Sequence, residues 1–367
     1  MTIRPEHRLL LRAALLPGRE ARTAWNEWRA RVDFDAVDPS SFSLIPLVVH
    51  NLGPDGRGDP LWARLVGVWR FAMARNALFY GDLTRVLQLF DAGSVPTLVV
   101  GGAALAATCY RSAGLRVITE LDVLVPADRA AIAMTLLRNE GGRLPIGWRG
   151  PSTAPERAIP VRHAHAFRSP IGRDVFLHWH GLSGGGDAAD AAFWEASRPM
   201  ALQGPSTRVL CPTDELLRVC VDEAYATGSS QLVWAADATY ILRSATDDVD
   251  WDRLMRLVAQ CGLRLALHDA LSWLVATVEA PVPATVIRSL GRGPVSALER
   301  LEHASRLGPP TGWRRAIRHL GRYMRSTRGQ GLSARILGLP DYVVRVTGAQ
   351  GPRDALDRAL ASLRRGR

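Results

Sequence analysis

The sequence predicts an α+β fold, in which an α/β core lies between an N-terminal helical region and a C-terminal helical domain. Apolar residues recur at helical spacing through residues 6–90 and again after residue 212. Between these regions, two short apolar runs at residues 96–100 and 121–125 have the composition of buried strands. The predicted divisions are 1–90 for the N-terminal helical region, 91–205 for the α/β core and 206–367 for the C-terminal helical domain.

The N-terminal region contains two helical patterns, at residues 7–16 and 21–32, and a longer one at 61–90. A loop rich in Pro, Gly and Asp at residues 53–60 separates them. The region therefore predicts helices and supplies no candidate site.

The core begins with the strand at 96–100, which is followed by Gly101-Gly102 and a small-residue helix to residue 110. A second strand at 121–125 leads through Pro126 into a helix that ends near residue 139. This strand-helix-strand-helix order is typical of an α/β unit, and it is where we expect the functional site. A further strand is predicted at residues 174–180.

In the C-terminal part, Thr213-Asp214-Glu215 resembles a helix N-terminus, with two acids at the positive end of the helix dipole. Breaks in the helical pattern are predicted near residues 281–283 and 308–310. The last segment, 353–367, is a basic amphipathic helix, which we interpret as a solvated surface helix in preference to a nucleic-acid-binding tail.

The composition is that of a soluble protein, with 47% hydrophobic and 22% charged residues. No apolar run is long enough to span a bilayer, and the first residues lack the layout of a signal peptide. We therefore expect a cytoplasmic protein with no membrane partner. The four cysteines form no Cys-x-x-Cys pair, which argues against a zinc ribbon and against a disulfide framework.

The formal net charge is +11, and because the chain contains no lysine, every basic side chain counted there is arginine. Two interpretations remain open: an arginine-rich surface for nucleotides or nucleic acid, or a general preference for arginine codons. The absence of lysine excludes Walker-type phosphate loops and Schiff-base chemistry, since both need a lysine amine.

Glu120 and Asp122 are the strongest candidates for chemistry. They are two residues apart on a predicted strand, so their carboxylates point to the same face. Such a pair suits Mg²⁺, which proteins usually hold with one or two carboxylates together with substrate phosphates. Gly101 and Gly102 precede this strand and lack a Cβ, so their backbone amides can approach a triphosphate. The pattern predicts metal-assisted phosphoryl transfer.

A glycine pair at a strand-helix turn, followed by an acid-x-acid strand, resembles the nucleotidyltransferase superfamily. Within it, the chain is most similar to an uncharacterised bacterial nucleotidyltransferase family often found beside biosynthetic genes. The matching stretches are Gly101 to Leu105, Arg116 to Asp122, Leu177-His178-Trp179, Pro212 to Leu217, Trp234-Ala235-Ala236-Asp237 and Asp250-Trp251. The resemblance covers residues from about 90 to 275.

The resemblance implies transfer of a nucleoside monophosphate from an NTP to an acceptor hydroxyl or phosphate, with Mg²⁺ held by Glu120 and Asp122. Gly101 and Gly102 would cradle the phosphates, while Arg116 would bind phosphate or support Glu120. A small metabolite or biosynthetic intermediate is the expected acceptor.

Three positions depart from the family pattern. Gly101 stands where the family has lysine, and Glu120 replaces an aspartate. The third carboxylate is expected at Phe176, so we assign that role to Asp174, two residues earlier on the same strand face. Two alternatives therefore stay open: a toxin-like enzyme that modifies tRNA, and a catalytically inactive relative that serves as a binding protein.

The histidines suggest a different hypothesis. His163 and His165 share one predicted strand face, and so do His178 and His180, so adjacent strands would place four imidazoles around a metal ion. We favour the nucleotidyltransferase interpretation, because His178 falls in the family's Leu-His-Trp stretch. In the helical half, Asp237 is expected to be a packing partner, with lining of the nucleotide cleft as the less favoured alternative.

Overall fold

The computed structural model describes residues 3–110, 112, 114–143, 155–168, 173–183, 185–200, 204–222, 232–307, 311–327, 331–347 and 349–364. They form helices at both ends of the chain and one mixed sheet between them, which confirms the predicted α+β fold class.

The N-terminal region consists of helices, as predicted. Their bounds are α1 (Pro5–Leu15), α2 (Gly18–Arg31), α3 (Pro39–Phe42), α4 (Ile45–Leu52) and α5 (Trp62–Ala92). Asp38 starts α3 because its side chain accepts hydrogen bonds from the Ser40 and Ser41 amides, which would otherwise lack partners in the first turn. The predicted loop at 53–60 contains a short 3-10 turn, Gly53–Gly58.

The central sheet contains six strands in the order β3-β4-β2-β1-β6-β5. The elements of this region are β1 (Leu98–Val100), α6 (Gly101–Thr108), β2 (Leu121–Leu124), α7 (Ala130–Asn139), β3 (Ala164–Arg168), β4 (Asp174–His178), α8 (Asp187–Ala196), β5 (Arg198–Met200) and β6 (Thr207–Val209). β1 and β2 pair antiparallel, whereas β4 pairs parallel with β2 and β6 pairs parallel with β1. The sheet continues to Val209, beyond the predicted division at residue 205.

Strand alternation gives the sheet two different faces. Val99 and Val123 lie on the face that packs against α5 and α7, where Phe90 and Met134 are fully buried. Leu98, Val100 and Leu124 lie on the other face, whose core includes the N-terminal and C-terminal helices. Because side chains alternate along a strand, Asp122 shares this second face.

The C-terminal part is helical, as predicted from residue 212 onward. Its helices are α9 (Pro212–Val221), α10 (Val233–Ser244), α11 (Trp251–Cys261), α12 (Arg264–Val278), α13 (Ala284–Arg292), α14 (Ala297–Arg306), α15 (Gly312–Ser326), α16 (Leu332–Thr347) and α17 (Pro352–Arg364). The predicted break at 281–283 separates α12 from α13, while the predicted break at 308–310 lies outside the described residues.

One hydrophobic core joins the two ends of the chain. Leu10 and Trp28 of the N-terminal helices belong to the same buried cluster as Leu216 and Leu271 of the C-terminal helices. Cys211, Cys220 and Cys261 are buried, and Cys109 is partly buried. Among the described helices, none combines the length and apolar character needed to cross a membrane.

Candidate active site

The site lies where β1 ends and α6 begins. Val100 pairs with Asp122 across the antiparallel β1–β2 ladder, so the chain turns into α6 directly beside the Asp122 side chain. His178 Nε2 donates a hydrogen bond of 2.9 Å to Asp122 Oδ1. The glycine pair forms the first turn of α6, whereas the sequence predicted a turn ahead of a helix that starts at residue 103.

Gly101 has a conformation and a neighbour that both require glycine. Its φ of +68° is in the left-handed region, which glycine adopts without a steric penalty. An added Cβ would lie 2.8 Å from Asp122 Oδ2 and 3.6 Å from Arg218 Nη2. The departure from the family's lysine therefore has a physical reason, since a side chain at this position would displace the Asp122 carboxylate.

The N-terminus of α6 already holds a carboxylate. The Gly101 amide donates a hydrogen bond of 3.3 Å to Glu215 Oε1, although Glu215 belongs to α9 in the C-terminal domain. Arg218 neutralises Glu215 through bonds from Nε (3.0 Å) and Nη2 (2.6 Å), and both side chains are buried. An anion thus lies at the helix end where the sequence predicted a phosphate.

Arg116 is also buried, and its partner is Asp237 of α10. Its Nε lies 2.9 Å from Asp237 Oδ1 and 3.0 Å from Oδ2, and its Nη1 donates to the Val117 carbonyl at 2.5 Å. A Cβ on Gly102 would lie 3.3 Å from the guanidinium, so this glycine allows Arg116 to pack against α6. The structure assigns Arg116 a supporting contact that joins the sheet to the helical domain.

Tyr110 and Asn76 complete this support. Tyr110 donates a hydrogen bond of 2.6 Å to Asp237 Oδ1, and burial together with the Asp237 charge raises the pKa of Tyr110 well above its usual range. The phenol therefore stays protonated as a donor. Asn76 of α5 donates to the Arg116 carbonyl at 2.7 Å and accepts from the Ile118 amide at 3.0 Å, which fixes the segment that leads into β2.

The remaining predicted acids lie at the opposite end of β2 from Leu124. Glu120 immediately precedes β2 and is partly exposed. Asp174 begins β4 and forms an ion pair of 2.8 Å with Arg168 of β3. The register places Phe176, and not Asp174, directly beside Asp122. The site therefore has an aromatic ring at the position where the family pattern has its third acid.

The histidines do not form the four-imidazole arrangement that was considered as an alternative. His165 pairs with Leu177 and His178 pairs with Ala164 in the β3–β4 ladder, so His165 and His178 point to opposite faces of the sheet. Burial and then the Arg162 charge lower the pKa of His165 to about 4, which leaves it neutral at physiological pH.

One group of side chains in the described part of the chain has a geometry that could hold a metal ion. It consists of His180, Asp187 and Asp190, so it contains neither Glu120 nor Asp122, and His180 is its one member among the four histidines considered as ligands. Asp190 accepts hydrogen bonds from His180 Nδ1 at 2.6 Å and from the Gly181 amide at 2.8 Å. These bonds hold Asp190 beside His180 at the start of α8.

In the described part of the chain, a cavity lies on each face of the sheet. One, of about 220 Å³, borders Glu215 and the α6 residues Leu105 and Thr108. The other, of about 260 Å³, lies between α5 and the opposite face and is lined by Leu121 and Phe167. Both are smaller than the roughly 300–1,000 Å³ of common ligand pockets.

Comparison with known proteins identifies the family. The model of a family described as uncharacterised nucleotidyltransferases matches residues 43–278, which is more than half of the chain. The chain belongs to this family. The match includes β1, α6, β2 and β4, and also α9 and α10, which supply Glu215 and Asp237 to the site.

A search of solved structures gives a match to the crystal structure of an antigenic nucleotidyltransferase-like protein from Paracoccidioides brasiliensis. The two chains are 14% identical, with a TM-score of 0.35, and the match covers 57% of this chain and 95% of that chain. No curated protein has significant similarity to the chain.

Glu215 and Arg218 were not among the residues predicted for the site. A signal was present, since the two residues are three positions apart on one helix and thus share a face. Both side chains are nearly buried, and a buried acid-arginine pair in a family of nucleotidyltransferases is a candidate for contact with charged substrate.

Proposed function

We propose that this member of the family is a Mg²⁺-dependent nucleotidyltransferase. It transfers a nucleoside monophosphate from an NTP to a hydroxyl or phosphate group of a small-molecule acceptor. The acceptor oxygen forms a bond to the α-phosphorus, the bond between that phosphorus and the α–β bridging oxygen breaks, and pyrophosphate leaves. The observation that carries the proposal is the position of Asp122 beside the amino end of α6.

The residues at this position fit a magnesium ion. Asp122 Oδ2 borders the space that a Cβ on Gly101 would fill, and hard carboxylate oxygens are the ligands that Mg²⁺ takes. Asp122 and Glu120 would hold the metal, as the sequence predicts. When bound, the metal would neutralise charge on the phosphates. His178 holds the other Asp122 oxygen and so fixes the orientation of the carboxylate.

The amino end of α6 is the proposed contact for the triphosphate. Unpaired amides and the helix dipole attract anions at such an end. Glu215 now accepts from the Gly101 amide, so a phosphate that binds there takes the place of this carboxylate. Arg218, which is paired with Glu215, is then positioned to bind the incoming negative charge.

The test is calorimetric titration of Mg²⁺ and each NTP into the wild-type protein and the Asp122→Asn variant. We expect binding that needs Mg²⁺ and is lost in the variant. Asp128→Asn is the matched control, because Asp128 follows β2 closely but its side chain is 78% exposed and forms an ion pair with the adjacent Arg129 at 3.9 Å. Equal Mg²⁺–NTP binding by wild type and Asp122→Asn would refute the assigned site.

A second candidate function is nucleotide binding without catalysis. It is supported by Phe176 beside Asp122, since the third acid of two-metal transfer usually helps to activate the attacking hydroxyl. Release of pyrophosphate from NTP in the presence of candidate acceptors distinguishes the two functions. Release that requires Mg²⁺ and Asp122 supports the enzyme, whereas binding without release under any acceptor supports the binding protein.

A further inference from the structure

The positive charge of the chain is concentrated at its C-terminal end. Residues 311–367 contain thirteen arginines and three aspartates, which gives a net +10 out of the total of +11. The other 310 residues contain thirty-three arginines and thirty-two acids and are almost neutral. A codon preference for arginine does not explain this distribution, because it does not remove acids from one segment. The segment corresponds to α15, α16 and α17, which lie outside the family match.

The same three helices expose large apolar side chains. Those on α15 are Trp313 (46% exposed), Leu320 (45%) and Met324 (37%); on α16 they are Leu332 (74%), Ile336 (63%), Leu337 (78%) and Leu339 (38%); on α17 they are Leu356 (59%) and Leu360 (42%). Steps of three, four and seven residues recur among these positions, so each helix presents an apolar stripe on its outer side.

The outer stripes are not needed to hold the helices in place. On the inner side, Tyr323 and Tyr342 are nearly buried and their rings lie 4.9 Å apart. Arg325 forms a bidentate pair with Glu302 of α14, at 2.5 and 2.6 Å. The anchoring contacts therefore leave Leu332, Ile336 and Leu337 facing solvent. An exposed apolar surface of this kind lowers solubility and is typical of a binding surface.

Arginines accompany the stripes on the exposed surface. Arg315, Arg345, Arg353 and Arg358 are all exposed. Burial, followed by the charges of Arg306, Arg315 and Arg314, lowers the pKa of Arg318. The region is therefore apolar and cationic at once.

We propose that α15, α16 and α17 form a docking surface for an anionic lipid bilayer. Basic amphipathic helices bind such surfaces by inserting Trp, Leu and Ile side chains at the headgroup boundary while arginines contact the anionic headgroups. The protein attaches to the membrane peripherally and does not cross it. A membrane-binding role differs from the expectation from sequence, in which the C-terminal helix is a solvated surface helix and the protein has no membrane partner.

The two other occupants fit the surface less well. RNA would satisfy the arginines, but phosphates and sugars give no reason for nine exposed apolar side chains of this size. A second copy of the chain would cover the apolar stripes, but it would bring together two segments that each carry a net charge of +10 in sequence. A bilayer that contains anionic lipid supplies both the apolar phase and the opposite charge.

The experiment is co-sedimentation of the full chain with vesicles of phosphatidylcholine alone or with added phosphatidylglycerol, at low and high salt. We expect binding to the anionic vesicles that weakens with salt, and little binding to phosphatidylcholine. Ile336→Glu/Leu337→Glu should weaken binding by at least about tenfold, since two apolar contacts are lost. Phe71→Glu/Leu78→Glu, at sites 57% and 61% exposed on α5, is the matched control and should bind like wild type.

The charge contribution is tested separately. Arg345→Gln and Arg353→Gln should each weaken binding to the anionic vesicles about fivefold. Arg31→Gln and Arg129→Gln, at side chains 52% and 48% exposed outside the proposed surface, should not. Folding of every variant is verified by circular dichroism, and the exposed positions are chosen so that the fold is retained.

Three results would overturn the proposal. The first is absence of binding to anionic vesicles by the folded wild-type protein. The second is binding of tRNA that the Ile336→Glu/Leu337→Glu variant retains while no variant affects vesicle binding, which would assign the surface to nucleic acid. The third is a dimer in light scattering that this variant dissociates, which would assign it to self-association. None of these results affects the test of NTP binding at Asp122.

Discussion

Replacement of Glu215 by glutamine should tighten nucleotide binding while it destabilises the free protein. Glu215 accepts from the Gly101 amide and from two nitrogens of Arg218, and all of these groups are buried. The variant retains the size of the side chain and removes its charge. If the carboxylate competes with a phosphate for the amino end of α6, the neutral amide competes less.

The magnitudes follow from the same contacts. A hydrogen bond to a charged group contributes about 1.5–3 kcal/mol. Loss of the charged hydrogen bond between Glu215 and the Gly101 amide in the free protein should tighten Mg²⁺–NTP binding by roughly ten- to a hundredfold, since about 1.4 kcal/mol is a factor of ten. Arg218 meanwhile remains buried without its charged partner, which costs about 3–5 kcal/mol of stability. The bound triphosphate should restore part of this loss.

The assays are calorimetric titration of Mg²⁺–NTP and thermal unfolding with and without nucleotide. Glu302→Gln is the matched control, because it also removes the acid of a buried, bidentate Glu–Arg pair but lies on α14, away from α6. It should lower stability without a change in NTP affinity. Weaker NTP binding by Glu215→Gln than by the wild type would refute the competition and would make Glu215 a substrate or metal contact.

Three further predictions test the support of the site. Gly101→Ala should lose Mg²⁺–NTP binding in calorimetry, and its free energy of unfolding in urea should fall by about 1–2 kcal/mol. Gly18→Ala is the control, because Gly18 has a φ of +52° and no atom lies within 4 Å of the added Cβ, so it should show only the loss of stability. Asp237→Asn should lower the free energy of unfolding by about 3–5 kcal/mol, because it removes the charge of the buried partner of Arg116. Asp248→Asn, which removes the charge of an exposed ion pair, should lower it by at most about 1 kcal/mol. The pKa of His165 is about 4 in the folded protein and about 6.5 in the unfolded chain. Because protonation of His165 therefore favours the unfolded chain, the free energy of unfolding should fall by roughly 2 kcal/mol as pH drops from 6.5 to 4. The urea midpoint of His165→Phe should change less than that of the wild type over this range, and identical pH profiles of the two proteins would contradict the lowered pKa of His165.

Local pattern was sufficient for much of the fold. The strands at Leu98–Val100, Leu121–Leu124 and Asp174–His178 fall inside the apolar runs from which they were predicted. The two acids after Thr213 also identified the start of α9, although the helix begins one residue earlier, at Pro212, with Cys211 as its N-cap. These features depend on residues close together in the chain, whose periodicity and end signals the sequence displays directly.

The contacts that complete the site depend on residues far apart in the chain. Glu215 and Gly101 are 114 positions apart, and Arg116 and Asp237 are 121 apart. Nothing in a local pattern states which acid of a helical domain will meet which glycine of the sheet. For this reason the roles predicted for Arg116 were phosphate binding or support of Glu120, whereas the structure shows an ion pair between Arg116 and Asp237. The positive φ of Gly101 was likewise not visible, although the glycine itself was singled out.

The position of the third carboxylate decides how the site could work. Asp122 lies beside Phe176 and, because β2 and β4 run parallel, residue 120 is aligned with Asp174 when the register is extended by one position. Strand residues rise about 3.3 Å each, so Asp174 is displaced by roughly 7 Å along the strand from the place beside Asp122. Asp174 is therefore aligned with Glu120, so any contribution of Asp174 comes at the Glu120 end of the site that Glu120 and Asp122 are proposed to form. Asp174→Asn should accordingly affect turnover with little effect on Mg²⁺–NTP affinity, whereas Asp122→Asn should abolish that affinity.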